Sequence, residues 1–302
     1  MNLLYEKICA IVGKERVFQD EPMCRHITFR VGGPADYFVS AASIKEVQNV
    51  VALCRAENVP YYIIGNGSNL LVGDKGYRGV ILQIAKEMNE IEIDGDKMRI
   101  QAGALLSRIG NRALDACLTG FEFAAGIPGT IGGAVVMNAG AYGGEMKDVL
   151  EDVTVLDQEG KILVLSADEL ELGYRTSVVM KKGYIVLAAT LRLERGERDA
   201  IKEKMDELRE QRVTKQPLEY PSAGSTFKRP EGYFAGKLIQ DAALRGYQIG
   251  GAQVSEKHCG FVINKENATA ADIVALMENI VEIVREKFGV TLEPEVKKLG
   301  EF

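Results

Sequence analysis

The sequence is poor in histidine: His26 and His258 are its only two. A histidine-based metal site is not expected, and no convincing Ser-His-Asp arrangement can be drawn from them. Its cysteines, at 9, 24, 54, 117 and 259, are odd in number, scattered and free of CxxC pairs. That spacing argues against a disulfide framework and a structural zinc, and for a reducing compartment. No apolar run approaches the ~18 residues of a membrane helix. The N-terminal stretch carries acidic residues and no small-residue cleavage site, so it does not read as a signal peptide. Positive charge is in deficit, with a net charge of −6 at pH 7 and a pI near 5.3. Nucleic acid and membrane are therefore not expected as partners, and the expected location is cytoplasmic. Any phosphate site must be local, made of backbone amides and a few placed cations.

Charge is missing altogether from Phe123 to Gly144, FAAGIPGTIGGAVVMNAGAYGG, which instead holds seven glycines. Interior glycines weaken helix and strand alike, so this segment is expected to bring backbone close to something else. Two further glycine motifs are Arg30–Pro34 and Gly65–Asn69. The second falls short of a dinucleotide fingerprint because Leu70 stands where the third glycine belongs. No GxxxxGK[ST] occurs, which excludes a P-loop. Each motif alone is compatible with a tight turn or a close-packed crossing. Three in the first half of one chain favour a diphosphate ligand held by amide nests, with Asn66, Ser68 and Asn69 as added donors and Gly129, Gly132 and Gly133 donating from a second direction.

The remaining pattern is mixed. At 302 residues, 46% hydrophobic and 26% charged, the chain fits a packed globular protein of roughly two domains at ~150 residues each. Ala35–Ala41, Pro60–Gly65 and Gly79–Ala85 read as strands, and a capping box at Ser43–Glu46 opens a helix between the first two. That is a strand–helix–strand unit, the usual route to parallel pairing. Glu90–Gly103 and Asp152–Ser166 read as hairpins, Leu105–Leu118 as an amphipathic helix and Gly183–Glu194 as a strand. Further helices are expected over Glu197–Lys215, over Phe234–Arg245 stopped by Gly246, and over Thr269–Phe288 stopped by Gly289. The predicted class is α+β.

Polar residues cluster late in the chain. Ser222, Ser225, Thr226, Lys228 and Arg229 share one short segment, suited to phosphate or carboxylate but equally to an exposed basic loop. Arg175 is a lone arginine in a loop, and Glu293 and Glu295 flank Pro294. Cys259 beside His258 reads as a small core or pocket-wall residue.

In order along nearly the whole chain, the stretches Thr28–Pro34, Gly65–Leu71, Ala125–Gly133, Asn138–Tyr142, Tyr174–Arg175, Ala223–Lys228, Ala235–Ile239, Gly250–Ala252, Gly260–Asn264 and Leu292–Val296 resemble the UDP-N-acetylenolpyruvoylglucosamine reductase family. The first of these are shared with FAD-linked oxidases. The resemblance implies an FAD-linked oxidase-type fold: FAD-binding subdomains over 1–82 and 83–205, a substrate domain over 206–293, and a tail, 294–302, that returns to the first.

It also implies the chemistry. Non-covalent FAD would be held by Arg30, Val31, Gly32, Gly33, Gly65, Asn66, Gly67, Ser68, Asn69, Leu70, Ala125, Gly126, Pro128, Gly129, Thr130, Gly132, Gly133, Ala139 and Gly140. NADPH would supply hydride to FAD, whose reduced N5 passes it to the enolpyruvyl group of UDP-N-acetylglucosamine enolpyruvate, giving UDP-N-acetylmuramate for peptidoglycan. Ser225 would supply the proton, with Arg175 and Glu295 stabilising the enolate; Glu295 helps only if protonated or orienting a donor, which calls for a raised pKa. Tyr142, Tyr174 and Arg229 would face substrate, with Lys228 and Lys237 near its phosphates or carboxylate. Only seven residues separate Arg175 from Gly183, and Val178 and Val179 stand where an aromatic is common, so a shorter subtype without a clamping loop is expected. A monomer is expected, although no residue pattern sets the oligomeric state. An oxygen-using FAD oxidase and a non-catalytic flavin or nucleotide-sugar sensor are the alternatives. Neither explains an intact set of Ser225, Arg175 and Glu295.

Overall fold

The structure is a computed structural model that describes residues 3–302. The chain forms two compact units, one from the described part of Met1–Phe18 with Tyr37–Asn66 and Val80–Arg212, the other from Gln19–Asp36, Gly67–Gly79 and Val213–Phe302. Helices and strands are mixed along the chain, with both parallel and antiparallel pairings.

In the first unit, Ser43 caps the helix Ile44–Ala56, its hydroxyl accepting the Glu46 N–H. The capping box is only half formed. The Glu46 carboxylate accepts the Ala42 N–H and takes the Arg16 guanidinium in a two-pronged pair at 2.6 and 2.9 Å. Val47, Val50, Val51 and Cys54 make the buried stripe. The strand Tyr61–Ile64 runs parallel to Tyr77–Gln83, from Tyr61 opposite Val80 to Ile64 opposite Gln83. Gln83 O also accepts the Ala41 N–H, so this strand lies between the two that the helix connects. The expected strand–helix–strand unit thus spans a gap of one strand.

A second sheet is wholly antiparallel, in the order Ile162–Ser166, Leu150–Leu156, Ile185–Arg192, Lys97–Gln101, Ile91–Asp94. Both expected hairpins are in it. The first closes over two residues, since Asp94 pairs with Lys97, and Gly95 takes a φ of 61° that the turn needs. The amphipathic helix is Leu106–Asp115, shorter than expected. It stops because Cys117 turns to a φ of 55° and Leu118–Thr119 pairs with Glu194–Arg195.

In the second unit the helix Ala270–Phe288 has a complete N-terminal cap. Asp74 accepts the Ala270 and Ala271 N–H groups at 2.8 and 3.0 Å, and the Thr269 hydroxyl accepts that of Asp272. Asp272 returns the favour to the Thr269 N–H and also takes that of Gly251. Gly289 ends the helix at a φ of 69°. The helix expected over Phe234–Arg245 is instead Ala235–Asp241. The Leu244 N–H reaches back to Ile239 O and Ala243 adopts a φ of 64°, a helix-ending turn made before Gly246 is reached. Gly246 instead donates to Val254 O, extending the small sheet of Gln248–Ile249, Ala252–Val254 and Val262–Asn264. The last strand, Lys297–Leu299, pairs in parallel with Leu70–Val72.

The Thr269 N–H, with that of Gly251, holds the Asp272 carboxyl below the usual range. A folded pKa below the unfolded one gives stability that is present above about pH 4 and lost as pH falls through the folded value. Asp272→Asn should cost about 1 kcal/mol at neutral pH. In urea denaturation across pH the deficit should shrink towards acid.

Candidate functional site

The first unit brings two of the three glycine motifs together. At the end of the strand Tyr61–Ile64, a Cβ on Gly65 would sit 2.2 Å from Thr130 Oγ1. Asn66 Nδ2 donates to Pro128 O at 2.7 Å, tying the loops side chain to backbone. The glycine-rich segment is not helix-free, contrary to its composition: Ile131–Val136 is a short helix capped by the Thr130 hydroxyl. Its glycines have separate tasks. Gly132 is buried against the strand side, its N–H donated to Ala102 O at 2.9 Å. That amide is spent on packing, which corrects the reading of Gly132 as a phosphate donor. Gly129 likewise gives its N–H to Ile127 O. Gly126, Pro128 and Gly133 are exposed, and they leave the open face of the loop.

A cation lies against that face which the sequence did not single out. Arg212, at the end of the helix Arg198–Lys215, holds its guanidinium carbon 5.6 Å from the Tyr142 ring centroid. A Cβ on Gly126 would meet Arg212 Nε at 2.9 Å. Burial lowers the Arg212 pKa from its usual value, with Tyr142 opposing, but an arginine stays charged throughout the physiological range. The other charged residues of that helix are exposed, so only the fold marks Arg212.

Tyr174 and Arg175 form the two-residue tip of a tight turn, with Gly173 and Thr176 exchanging N–H···O bonds at 3.1 and 3.2 Å. Arg175 takes a φ of 54° and stands 5.3 Å from the Tyr174 ring centroid. Buried Asn138 fixes this tip to the glycine segment. Its Nδ2 donates to Gly173 O and to Glu145 Oε2, while its Oδ1 accepts the Lys147 N–H. Ser177 adds a hydroxyl bond to Val136 O and caps the helix Val178–Lys182. Asn138, quoted only within a motif, is the joint that sets where Arg175 stands.

The second unit gathers the other candidates. Gly33 donates to Gly73 O, and a Cβ there would sit 2.1 Å from Asp74 O. Arg30 is held at a φ of 55°, and the Thr28 N–H reaches Gly67 O. The segment around Ser225 is clamped on both sides. Thr226 gives its N–H to Gly260 O and takes the Val262 N–H on its hydroxyl at 2.8 Å. On the opposite flank Thr226 O accepts the Glu295 N–H at 2.8 Å, and Lys228 donates its N–H to Glu293 O. Ser225 itself is exposed, following Gly224 at a φ of 76°, while Glu295 is 8% exposed. Serine and glutamate are thus carried on neighbouring, mutually bonded segments.

The cations divide by partner. Lys228 pairs with Glu293 at 2.9 Å and Lys237 with Asp241, one helical turn on. Arg229 stacks 4.0 Å from the Phe234 ring centroid. Aromatic contact orients a guanidinium without cancelling its charge.

Gly65→Ala should force Thr130 away and open the joint with Pro128. The expected cost is about 1–3 kcal/mol, read as a lower thermal midpoint.

Residues 216–299 match the family model described as UDP-N-acetylenolpyruvoylglucosamine reductase, C-terminal domain. Residues 35–166 match that of an FAD binding domain. A UDP-N-acetylenolpyruvoylglucosamine reductase from Alkaliphilus metalliredigens is 52% identical over 298 residues, 99% of this chain and 98% of that protein. The crystal structure of the Thermus caldophilus reductase superimposes with a TM-score of 0.81 at 36% identity, covering 94% of this chain and 99% of that one. A Phl p 4 variant, a glucose oxidase, shares the fold at 16% identity, with a TM-score of 0.51 over 65% of this chain and 44% of its own. The expected FAD-linked oxidase-type fold is borne out, and this chain belongs to the UDP-N-acetylenolpyruvoylglucosamine reductase family.

Proposed function

We propose that this chain is the FAD-dependent, NADPH-consuming oxidoreductase that reduces the enolpyruvyl group of UDP-N-acetylglucosamine enolpyruvate to UDP-N-acetylmuramate in peptidoglycan precursor synthesis. The observation that carries the reading is the clamp on Thr226, which presents Ser225 outward beside the buried Glu295. The FAD fits the residues present. The face left by Gly126, Pro128 and Gly133 allows close backbone approach, and Arg212 supplies a positive charge beside it. Arg30–Gly33, Gly65–Leu70 and the segment Ala125–Gly140 are the residues that would hold it. When bound, FAD supplies the hydride it has taken from NADPH.

This chain's own residues handle the rest. Hydride addition to the enolpyruvyl double bond leaves an enolate, a base strong enough to take a proton from the Ser225 hydroxyl. Arg175 binds the carboxyl oxygen where that charge collects. Its backbone is held in a sparsely populated conformation by the Gly173–Thr176 turn. A bare carboxylate would repel the enolate, so Glu295 acts as a neutral acid or orients a donor. Tyr142, Tyr174 and Arg229 contact substrate, with Lys228 and Lys237 adding charge near its phosphates.

The division of labour follows the family: residues 1–82 and 83–205 for FAD, 206–293 for the nucleotide sugar. Pairing of Lys297–Leu299 with Leu70–Val72 supports return of the tail to the first of these. A helix, Val178–Lys182, fills the short span after Arg175, in keeping with the subtype that lacks a clamping loop. Among the described residues no helix is long and apolar enough to cross a membrane. We place the enzyme in the cytoplasm as a monomer.

A yellow preparation should bleach anaerobically with NADPH and recolour on adding the enolpyruvyl sugar nucleotide. Recolouring by oxygen alone would instead favour an oxidase. Ser225→Ala should bleach normally and recolour about 10²–10⁴-fold more slowly. Arg175→Gln should lose about 10²–10³-fold in the same step, and stopped-flow absorbance separates the two half-reactions. Glu295→Gln should also slow recolouring, and normal turnover would remove Glu295 from the mechanism.

A further inference from the structure

The parallel ladder between Leu70–Val72 and Lys297–Leu299 is bounded by Asn69. Asn69 O accepts the Lys297 N–H at 3.0 Å, and Asn69 Nδ2 donates to Glu295 O at 3.2 Å. Backbone and side chain of one asparagine therefore serve two tail residues two positions apart, the alternation a parallel ladder requires. The side-chain amide stands in for one further rung. On its other side the Glu295 N–H is taken by Thr226 O at 2.8 Å. Its peptide groups are gripped from both flanks, one by the Ser225 segment and one by the loop that follows Gly67.

We propose that Asn69 is a positioning residue for Glu295, coupling the loop assigned to FAD to the buried carboxyl. This rests on the function proposed above. The residue type is demanding. Aspartate would set oxygen against the Glu295 carbonyl, alanine has no donor, and glutamine carries its amide one methylene further out. Ordering the Gly67–Asn69 loop around a flavin then also orders the Glu295 backbone, and loosening the loop releases it.

The test is a cycle of Asn69→Ala, Glu295→Gln and the double variant, each reconstituted with saturating FAD. It is read as the rate of recolouring by the sugar nucleotide and as amide hydrogen exchange at Glu295 and Lys297. Asn69→Ala should slow recolouring about tenfold. On the Glu295→Gln background it should add less than about twofold, because residues acting through one another are not additive. Exchange at the two amides should rise about tenfold in Asn69→Ala, and stripping FAD from the unaltered chain should raise it in the same direction. Fully additive rate losses, or exchange unchanged by Asn69→Ala, would overturn the proposal. If Glu295→Gln recolours normally, the role given to Glu295 fails, and the exchange data still decide whether Asn69 holds it.

Discussion

The second unit depends on the return of the chain's last strand to Leu70–Val72. Parallel pairing cannot be made by a short turn, so some distant segment had to supply the partner. Here it is Lys297–Leu299, extended by the Gly73 N–H to Leu299 O and by the Glu301 N–H to Gly76 O. Leu71, Val72, Val296 and Leu299 are buried around that junction. With this strand fixed, Glu293–Glu295 lies along Phe227–Lys228, and the segment bearing Ser225 gains its second flank. Without it, Thr226 would be held from the Gly260–Val262 side alone.

Much of this was legible in the residues. The helix Ala270–Phe288 was, because Thr269, the apolar period and Gly289 all agree on its limits. The hairpins were, because a glycine sits in each turn between alternating runs. Less legible were features set by distant contacts. Asp74 gives no local sign that it caps a helix 196 residues later. The spacing of glycines said that backbone comes close to something. It could not say that Gly132 meets Ala102 while Gly133 faces outward, since the two are adjacent and alike. Arg212 was hidden by its own helix, whose other charges are solvated. The end of the helix at Asp241 was misplaced because an alanine took the left-handed position expected of Gly246.

Several cations of the candidate site have distinct surroundings. Lys228 and Lys237 pair with carboxylates, and Arg175, Arg212 and Arg229 each have an aromatic ring beside the guanidinium. A ring contributes orientation and partial desolvation while leaving a full positive charge to act on an anion. In a protein of net charge −6, the placement of cations matters more than their number.

The assembly of the second unit from Gln19–Asp36, Gly67–Gly79 and Val213–Phe302 also has a meaning in time. At ~5–20 residues per second, synthesis separates Gly79 from Val213 by on the order of ten seconds. During that interval Phe29, Leu71 and Val72, all buried in the finished protein, wait on the nascent chain, the latter two without the strand Lys297–Leu299 that pairs with them. The first unit has all its segments once Arg212 is made. The second stays open to chaperones and to misassociation until its closing strand leaves the ribosome, so its folding is timed by translation itself.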